Sequence, residues 1–218
     1  MYFHNFEEFL REMMLVFKER RFFYSVKYCF WVIPDLIRGV DFVKNEGRER
    51  IGVSEEQGRV YQATRDTSYI KRILDGLPIT QQDAMLDLGC GKGYMLKYFS
   101  RYPFKKVGGV ELSERLWEIA NQNIRKLKME KCVAYCSDAA DFVEYDEYTY
   151  LYIFDSFPGA VMAKVMENLK KSLYRNDRKI TLIYKSPVCH DIIIKSGIFE
   201  LLRTEAGKTM QYNIYVSK

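Results

Sequence analysis

No run in the 218-residue sequence is apolar for long enough to cross a bilayer. The nearest stretch, Phe22 to Val40, carries Lys27, Pro34, Asp35 and Arg38, which are costly in hydrocarbon. The cysteines, Cys29, Cys90, Cys132, Cys136 and Cys189, lack the spacing of a disulfide-stapled small domain. Their odd number, with no apparent signal peptide, points to a reduced, cytoplasmic protein. Cys132 and Cys136 raise the question of a metal pair, but Cys132-Val-Ala-Tyr-Cys136 reads as a strand. A four-residue offset there puts both thiols on one face, too far apart for one ion. They are read as buried free thiols, and no metal site is expected. Internal repeats and low-complexity tracts are absent. Positive charge is not concentrated either: the net +5 is spread over Lys105-Lys106, Arg125-Lys126, Lys128 and Lys170-Lys171 in different elements. Such charges form solvated faces rather than a nucleic-acid track.

What is present suits a soluble α/β domain with an extension: 48% of residues are apolar and 29% charged, enough for a sizeable core. Residues 5 to 19 place Phe6, Phe9, Leu10, Met13, Met14 and Phe17 at helical spacing among charges, an amphipathic helix. Its apolar face packs on the same chain, covers a substrate, meets a second copy or lies on a membrane surface; the residues leave these open. A second aromatic-rich segment runs from Phe22 to Ile33 and is interrupted at Pro34. A polar connector, Lys44 to Arg50, follows, and residues 51 to 67 read as loop. The extension is assigned to residues 1–52 and the main domain to 53–218.

From Ser68 the pattern becomes regular. Ile70, Ile73, Leu74 and Leu77 share a helical face closed by Gly76 and Pro78. Strands are expected at 84–88, 106–112, 131–136, 148–154 and 179–184, with helices at 93–102, 113–128, 159–174 and about 190–196. Ser113 is the expected cap of the second of these helices. This alternation predicts a parallel sheet covered on both faces. Residues 199–204 and 210–216 are joined by too short a connection for a helical crossover, so they should form an antiparallel hairpin.

The chemistry centres on Ala84 to Gly93, AMLDLGCGKG: an apolar run, an acid, then Gly89, Gly91 and Gly93 leading into a helix. Strand, glycine turn and helix bring backbone N–H groups and a helix N-terminus close to a ligand. The dinucleotide fingerprint requires a third glycine where Tyr94 stands, and a Walker loop requires Ser or Thr where Gly93 stands. Instead, acid-x-Gly-x-Gly-x-Gly, with Glu111 ending the next apolar run, Ser137-Asp138-Ala139-Ala140 and Phe154-Asp155-Ser156-Phe157-Pro158, resembles class I S-adenosylmethionine (SAM)-dependent methyltransferases.

That resemblance implies a three-layer, Rossmann-like α/β fold: a mostly parallel seven-stranded sheet, the last strand inserted beside the fifth, with the N-terminal helices as an addition. It also implies roles. Glu111, roughly twenty residues beyond the glycine turn, would accept hydrogen bonds from both ribose hydroxyls. Leu112 would lie against the adenine, and Asp138 would accept from its amino group beside the Ala139 backbone. Gly89, Cys90 and Gly91 would face the methionine portion, with Asp87 holding its ammonium group. Tyr61-Gln62-Ala63-Thr64 is similar to a Tyr-x-Pro/Ala-Ser/Thr stretch of some bacterial members, which would bring Tyr61 and Thr64 to the same end of the cofactor; the other reading is a surface turn. Asp155 sits where the transferable methyl would lie. It would be a general base, an orienting acceptor, or only a helix-start acid before Pro158. The Asp-Ser-Phe-Pro order departs from the Asn/Asp-Pro-Pro-aromatic pattern of amino-directed relatives, so the acceptor stays open, with a small molecule or protein ahead of nucleic acid. A SAM-binding regulator without methyl transfer is the alternative reading.

Overall fold

The computed structural model describes residues 32–44, 46, 48–54, 58, 67–207 and 210–218. The chain forms two compact units, Met1–Lys44 and Asn45–Lys218. In the first, residues 32–38 are helical, and Asp35 ties down the turn that follows. Its carboxylate accepts from the Phe42 N–H at 3.0 Å and its carbonyl from the Val40 N–H at 2.9 Å. The helix expected over residues 5–19 lies outside the described residues.

The second unit contains, in order, α1 (Arg48–Ile51), α2 (Ser68–Asp75), β1 (Ala84–Leu88), α3 (Tyr94–Phe99), β2 (Lys106–Glu111), α4 (Glu114–Lys126), β3 (Cys132–Cys136), β4 (Tyr150–Phe154), α5 (Gly159–Arg175), β5 (Thr181–Lys185), α6 (His190–Lys195), β6 (Phe199–Ala206) and β7 (Gln211–Ser217). One seven-stranded sheet has the order β3-β2-β1-β4-β5-β7-β6. The first five strands pair in parallel, and β7 runs antiparallel to both β5 and β6. The hairpin thus closes the sheet with its last strand inside, which is the Rossmann-like methyltransferase topology that the resemblance implied.

Burial explains the strands. All five residues of β1 are buried, as are the first four of β4 and the last four of β5. Central parallel strands lie under helices on both faces and therefore read as continuous apolar runs rather than alternating ones. On one face α5 supplies Val161, Met162, Val165, Met166 and Leu169, at spacings of three and four residues. The opposite face is covered by Ile70, Ile73 and Leu74 of α2, by Met95, Leu96 and Phe99 of α3 and by Ala120 of α4. Ser113 caps α4, its hydroxyl accepting from the Leu116 N–H at 3.4 Å.

Three sequence expectations are corrected. Cys136, the last residue of the edge strand β3, is an exposed thiol, whereas Cys132 at the start of that strand is buried, since an edge strand is covered less completely toward its end. Helix α3 ends at Phe99 instead of running to 102. The segment read as a polar connector holds a buried carboxylate, Glu46, and runs into a short turn of helix ending at Ile51. Among the described residues no helix is long and apolar enough to cross a membrane.

Candidate functional site

The carboxyl ends of β1, β2, β3 and β4 open into one cavity of about 500 Å³. A volume of this order suits a nucleoside-sized ligand. Its lining includes Asp87, Glu111, Asp138 and Asp155, one acid from each strand end, with Gly89, Cys90, Gly91, Leu112 and Ala139. Ligands in open α/β sheets bind at this edge, beside the reversal of strand order, here between β1 and β4. None of the described lining residues is Lys, Arg or His.

The acids differ in surroundings. Asp87 is 3% exposed, and no described residue donates a hydrogen bond to its carboxylate. Burial first, and then the Glu111 charge, hold its carboxyl well above the ordinary carboxylate range. Glu111 accepts from the Gly91 N–H at 2.8 Å on one oxygen and from the Ser113 N–H at 2.9 Å on the other. Burial raises its pKa too, although those donors pull it down. Each Glu111 oxygen keeps a lone pair beyond its backbone bond, so the carboxylate both builds the loop and can receive two further donors. One Asp138 oxygen accepts from the Ala140 N–H at 2.8 Å, which gives the residue a turn-forming role at the cavity edge.

The glycine bend is built differently from the expectation. The N–H groups of Gly89 and Cys90 both donate to the Val110 carbonyl, at 2.8 and 3.0 Å. Gly91 donates to Glu111 and Gly93 to the Cys90 carbonyl at 3.0 Å. These four amides are therefore satisfied within the protein and do not cradle an anion. A phosphate needs such donors unoccupied, so the bend offers a ligand close approach and acceptors, which suit a cation. Gly89 has φ +85°, and a Cβ on it would fall 2.4 Å from the Ser156 side chain. Only glycine allows β1 and the β4 end to meet there. Ser156 completes this contact by donating to the Leu88 carbonyl at 2.8 Å.

Cys90 fills the space under the bend against Gly109. Burial, together with the Glu111 and Asp87 charges, raises its pKa well above the ordinary thiol value, so it stays protonated and is no nucleophile. His190 bonds Tyr215 through Nδ1 at 2.9 Å and is not among the cavity residues. Asp155 lines the cavity with a left-handed backbone, φ +38°, a conformation that costs a non-glycine residue about 1 kcal/mol or more. Phe157 serves both as cavity wall and as buried core.

Eight of the ten residues expected at the cofactor line this one cavity, together with Asp155. Tyr61 and Thr64 lie outside the described residues. Sequence reasoning missed the wall facing the strand ends: Ile51, Val53 and Gly58, backed by Leu116 of α4. These short apolar residues in a polar stretch carry no periodic signal.

Comparison with known proteins agrees with this geometry. Residues 85–176 match a family model described as a methyltransferase domain. Over 100 residues, 43% of this chain, the sequence is 28% identical to the protein-L-isoaspartate O-methyltransferase of Thermotoga maritima. That match spans about a third, 32%, of the relative's length. Among solved structures, a SAM-dependent methyltransferase from Aquifex aeolicus superposes with a TM-score of 0.54 at 16% identity, covering 67% of this chain and 87% of that one. An RNA methyltransferase from Salinibacter ruber, in complex with S-adenosyl-L-homocysteine, gives 0.53 at 14% identity, covering 71% and 93%. The B. subtilis m1A22 tRNA methyltransferase gives 0.55 at 14%, covering 69% and 65%. These likenesses establish the fold as that of the class I, Rossmann-like methyltransferases.

Proposed function

We propose that this chain is a SAM-dependent methyltransferase acting on a small-molecule or protein acceptor. The observation that carries the reading is the pair of buried carboxylates, Asp87 and Glu111, facing a cavity whose described lining holds no basic side chain. A buried carboxylate is costly unless a cation or donor answers it. SAM has an ammonium group for Asp87, two ribose hydroxyls for Glu111 and an adenine amino group for Asp138. Leu112, packed with Ile51, Val53 and Leu116, forms the apolar surface on which the adenine would lie. Tyr61 and Thr64 are proposed at the methionine end.

When bound, the cofactor supplies a methyl group on a positively charged sulfur, which passes to the acceptor's nucleophilic atom and leaves S-adenosylhomocysteine. The chain's own contribution is alignment and exclusion of water. Asp155, at the end of β4, is proposed to orient the acceptor and take up its proton. An acidic cleft with no basic side chain among its described lining residues disfavours a nucleic-acid backbone, which supports the smaller acceptor classes.

Calorimetry with SAM, S-adenosylhomocysteine and NAD tests the cofactor, and mass spectrometry for S-adenosylhomocysteine formed with cell extract tests the transfer. Binding of SAM with turnover is the expected result. Preference for NAD would overturn the cofactor assignment, and tight SAM binding without turnover on any extract would favour a SAM-responsive regulator.

A further inference from the structure

We propose that Glu46 is a positioning residue for the cofactor cavity, fixing the wall of Ile51, Val53 and Gly58 against the glycine bend and so setting how tightly an adenosyl ligand is held. This rests on the cavity being a SAM site. Glu46 belongs to the segment read from sequence as a polar connector, yet its side chain is 1% exposed. One oxygen accepts from Nζ of Lys92 at 3.2 Å and the other from Nε of Arg115 at 3.1 Å. Lys92 is fully buried and stands between Gly91 and Gly93, next to the residue whose N–H is held by Glu111. Arg115 is in the first turn of α4, two residues beyond the Ser113 cap. Glu46 therefore ties the cavity wall to both elements that shape the cofactor end.

A second tie lies five residues further along. The Ser113 hydroxyl donates to the Ile51 carbonyl at 2.7 Å, while the Ser113 N–H donates to Glu111. At the second anchor and just past it, the chain delivers Ile51 and Val53 against Leu112 and Leu116. Beyond them, a Cβ on Gly58 would come within 3.5 Å of the Ser156 carbonyl at the end of β4. The wall thus reaches from the predicted adenine surface to the predicted acceptor end. A buried ion pair seldom adds net stability over an apolar pair of the same size, because desolvation offsets the attraction. What this one adds is registration of Glu46 on the bend.

Glu46→Gln keeps the size and removes the charge. Because it leaves Lys92 buried without that carboxylate, Glu46→Leu combined with Lys92→Met provides a second variant with both charges gone. The readouts are the Kd and release rate of S-adenosylhomocysteine, and amide exchange of residues 48–54 without ligand. Loss of the tie should weaken binding about tenfold or more, a coupling of ordinary size between sites, and speed release. Exchange over 48–54 should accelerate while β1 and β2 keep their protection. A folded variant that binds as the wild type does, or whose 48–54 amides are unchanged, overturns the proposal. Wild-type protein that binds no S-adenosylhomocysteine overturns the cofactor reading instead, a result independent of Glu46.

Discussion

Asp87 is buried in the cavity with no described donor to its carboxyl group, and its ordinary neighbour in a structural role would be a donor. Replacing it with Asn removes the charge and keeps the shape. SAM binding by calorimetry should fall by about 1.5–3 kcal/mol, the range for a charge-assisted hydrogen bond. Ligand-free stability should instead rise at neutral pH, because the buried charge is gone. The pH dependence follows from the raised pKa. Between the ordinary carboxyl value of 3.8 and its own higher value, folded Asp87 keeps a proton that the unfolded chain releases. Rising pH through that window therefore lowers the stability of the ligand-free protein. SAM affinity should rise over the same window, as the carboxylate that receives the cation forms. Asp87→Asn should flatten both profiles relative to wild type, and equal slopes in the two proteins would show that Asp87 does not titrate with binding. Glu111 behaves differently because it is also scaffold. Glu111→Ala strands the Gly91 and Ser113 N–H groups, so it should cost about 2 kcal/mol or more in urea denaturation besides weakening SAM. Glu111→Gln, which keeps an acceptor, should lose binding with a smaller loss of stability. The place of Glu111 at the cavity was legible from its position at a strand end; its part in building the loop was not, since nothing in a sequence says which backbone donors a carboxylate will meet.

At the scale of elements, the joint between the β1 turn and the β4 end decides the cavity's floor. Gly89→Ala meets two penalties at once, a positive φ and an overlap with the Ser156 side chain. It should lower stability by about 2 kcal/mol or more, measured by thermal or urea unfolding. Adding Ser156→Gly removes the overlap but leaves the backbone strain, so the double variant should recover part of the loss. Full additivity of the two substitutions would mean that they do not touch. The strands, α4 with its Ser113 cap, α5 and the closing hairpin were all legible, because burial on both faces and regular helical spacing leave strong periodic signals. The construction of the bend was only half legible. Its glycines announced a close approach, but the occupation of its amides by Val110, Glu111 and Cys90 depends on how β2 lies alongside β1. The segment from Glu46 to Gly58 was least legible, since nothing marks Glu46 out from the other acids of the stretch and two separated aliphatic residues have no period.

For the whole molecule, the sheet order places every expected cofactor residue among the described ones on one edge and leaves β6 at the far end of the sheet, while Met210 of the hairpin connection reaches the cavity. Crossovers that run in both directions from β1 make that edge the place where two strand-to-helix connections diverge and a crevice opens. The acids at 87, 111, 138 and 155 are far apart in sequence and meet because four parallel strands end at the same level. A sequence reading could predict this convergence only after recognising the alternation of strands and helices, and it could not predict the wall that faces them. The arrangement makes a footprint prediction for amide exchange with and without saturating SAM. Protection should appear at residues 86–94, 110–116, 136–140 and 154–158, the ends of β1 to β4, and over 51–54 on the facing wall. The β6 strand, Phe199–Ala206, which pairs only with β7 among the described strands and contributes nothing to the cavity, should exchange at the same rate with and without ligand. Protection centred on β6, with the ends of β1 and β2 unchanged, would move the binding site off the carboxyl edge of the sheet and remove the basis for reading its four acids as one site.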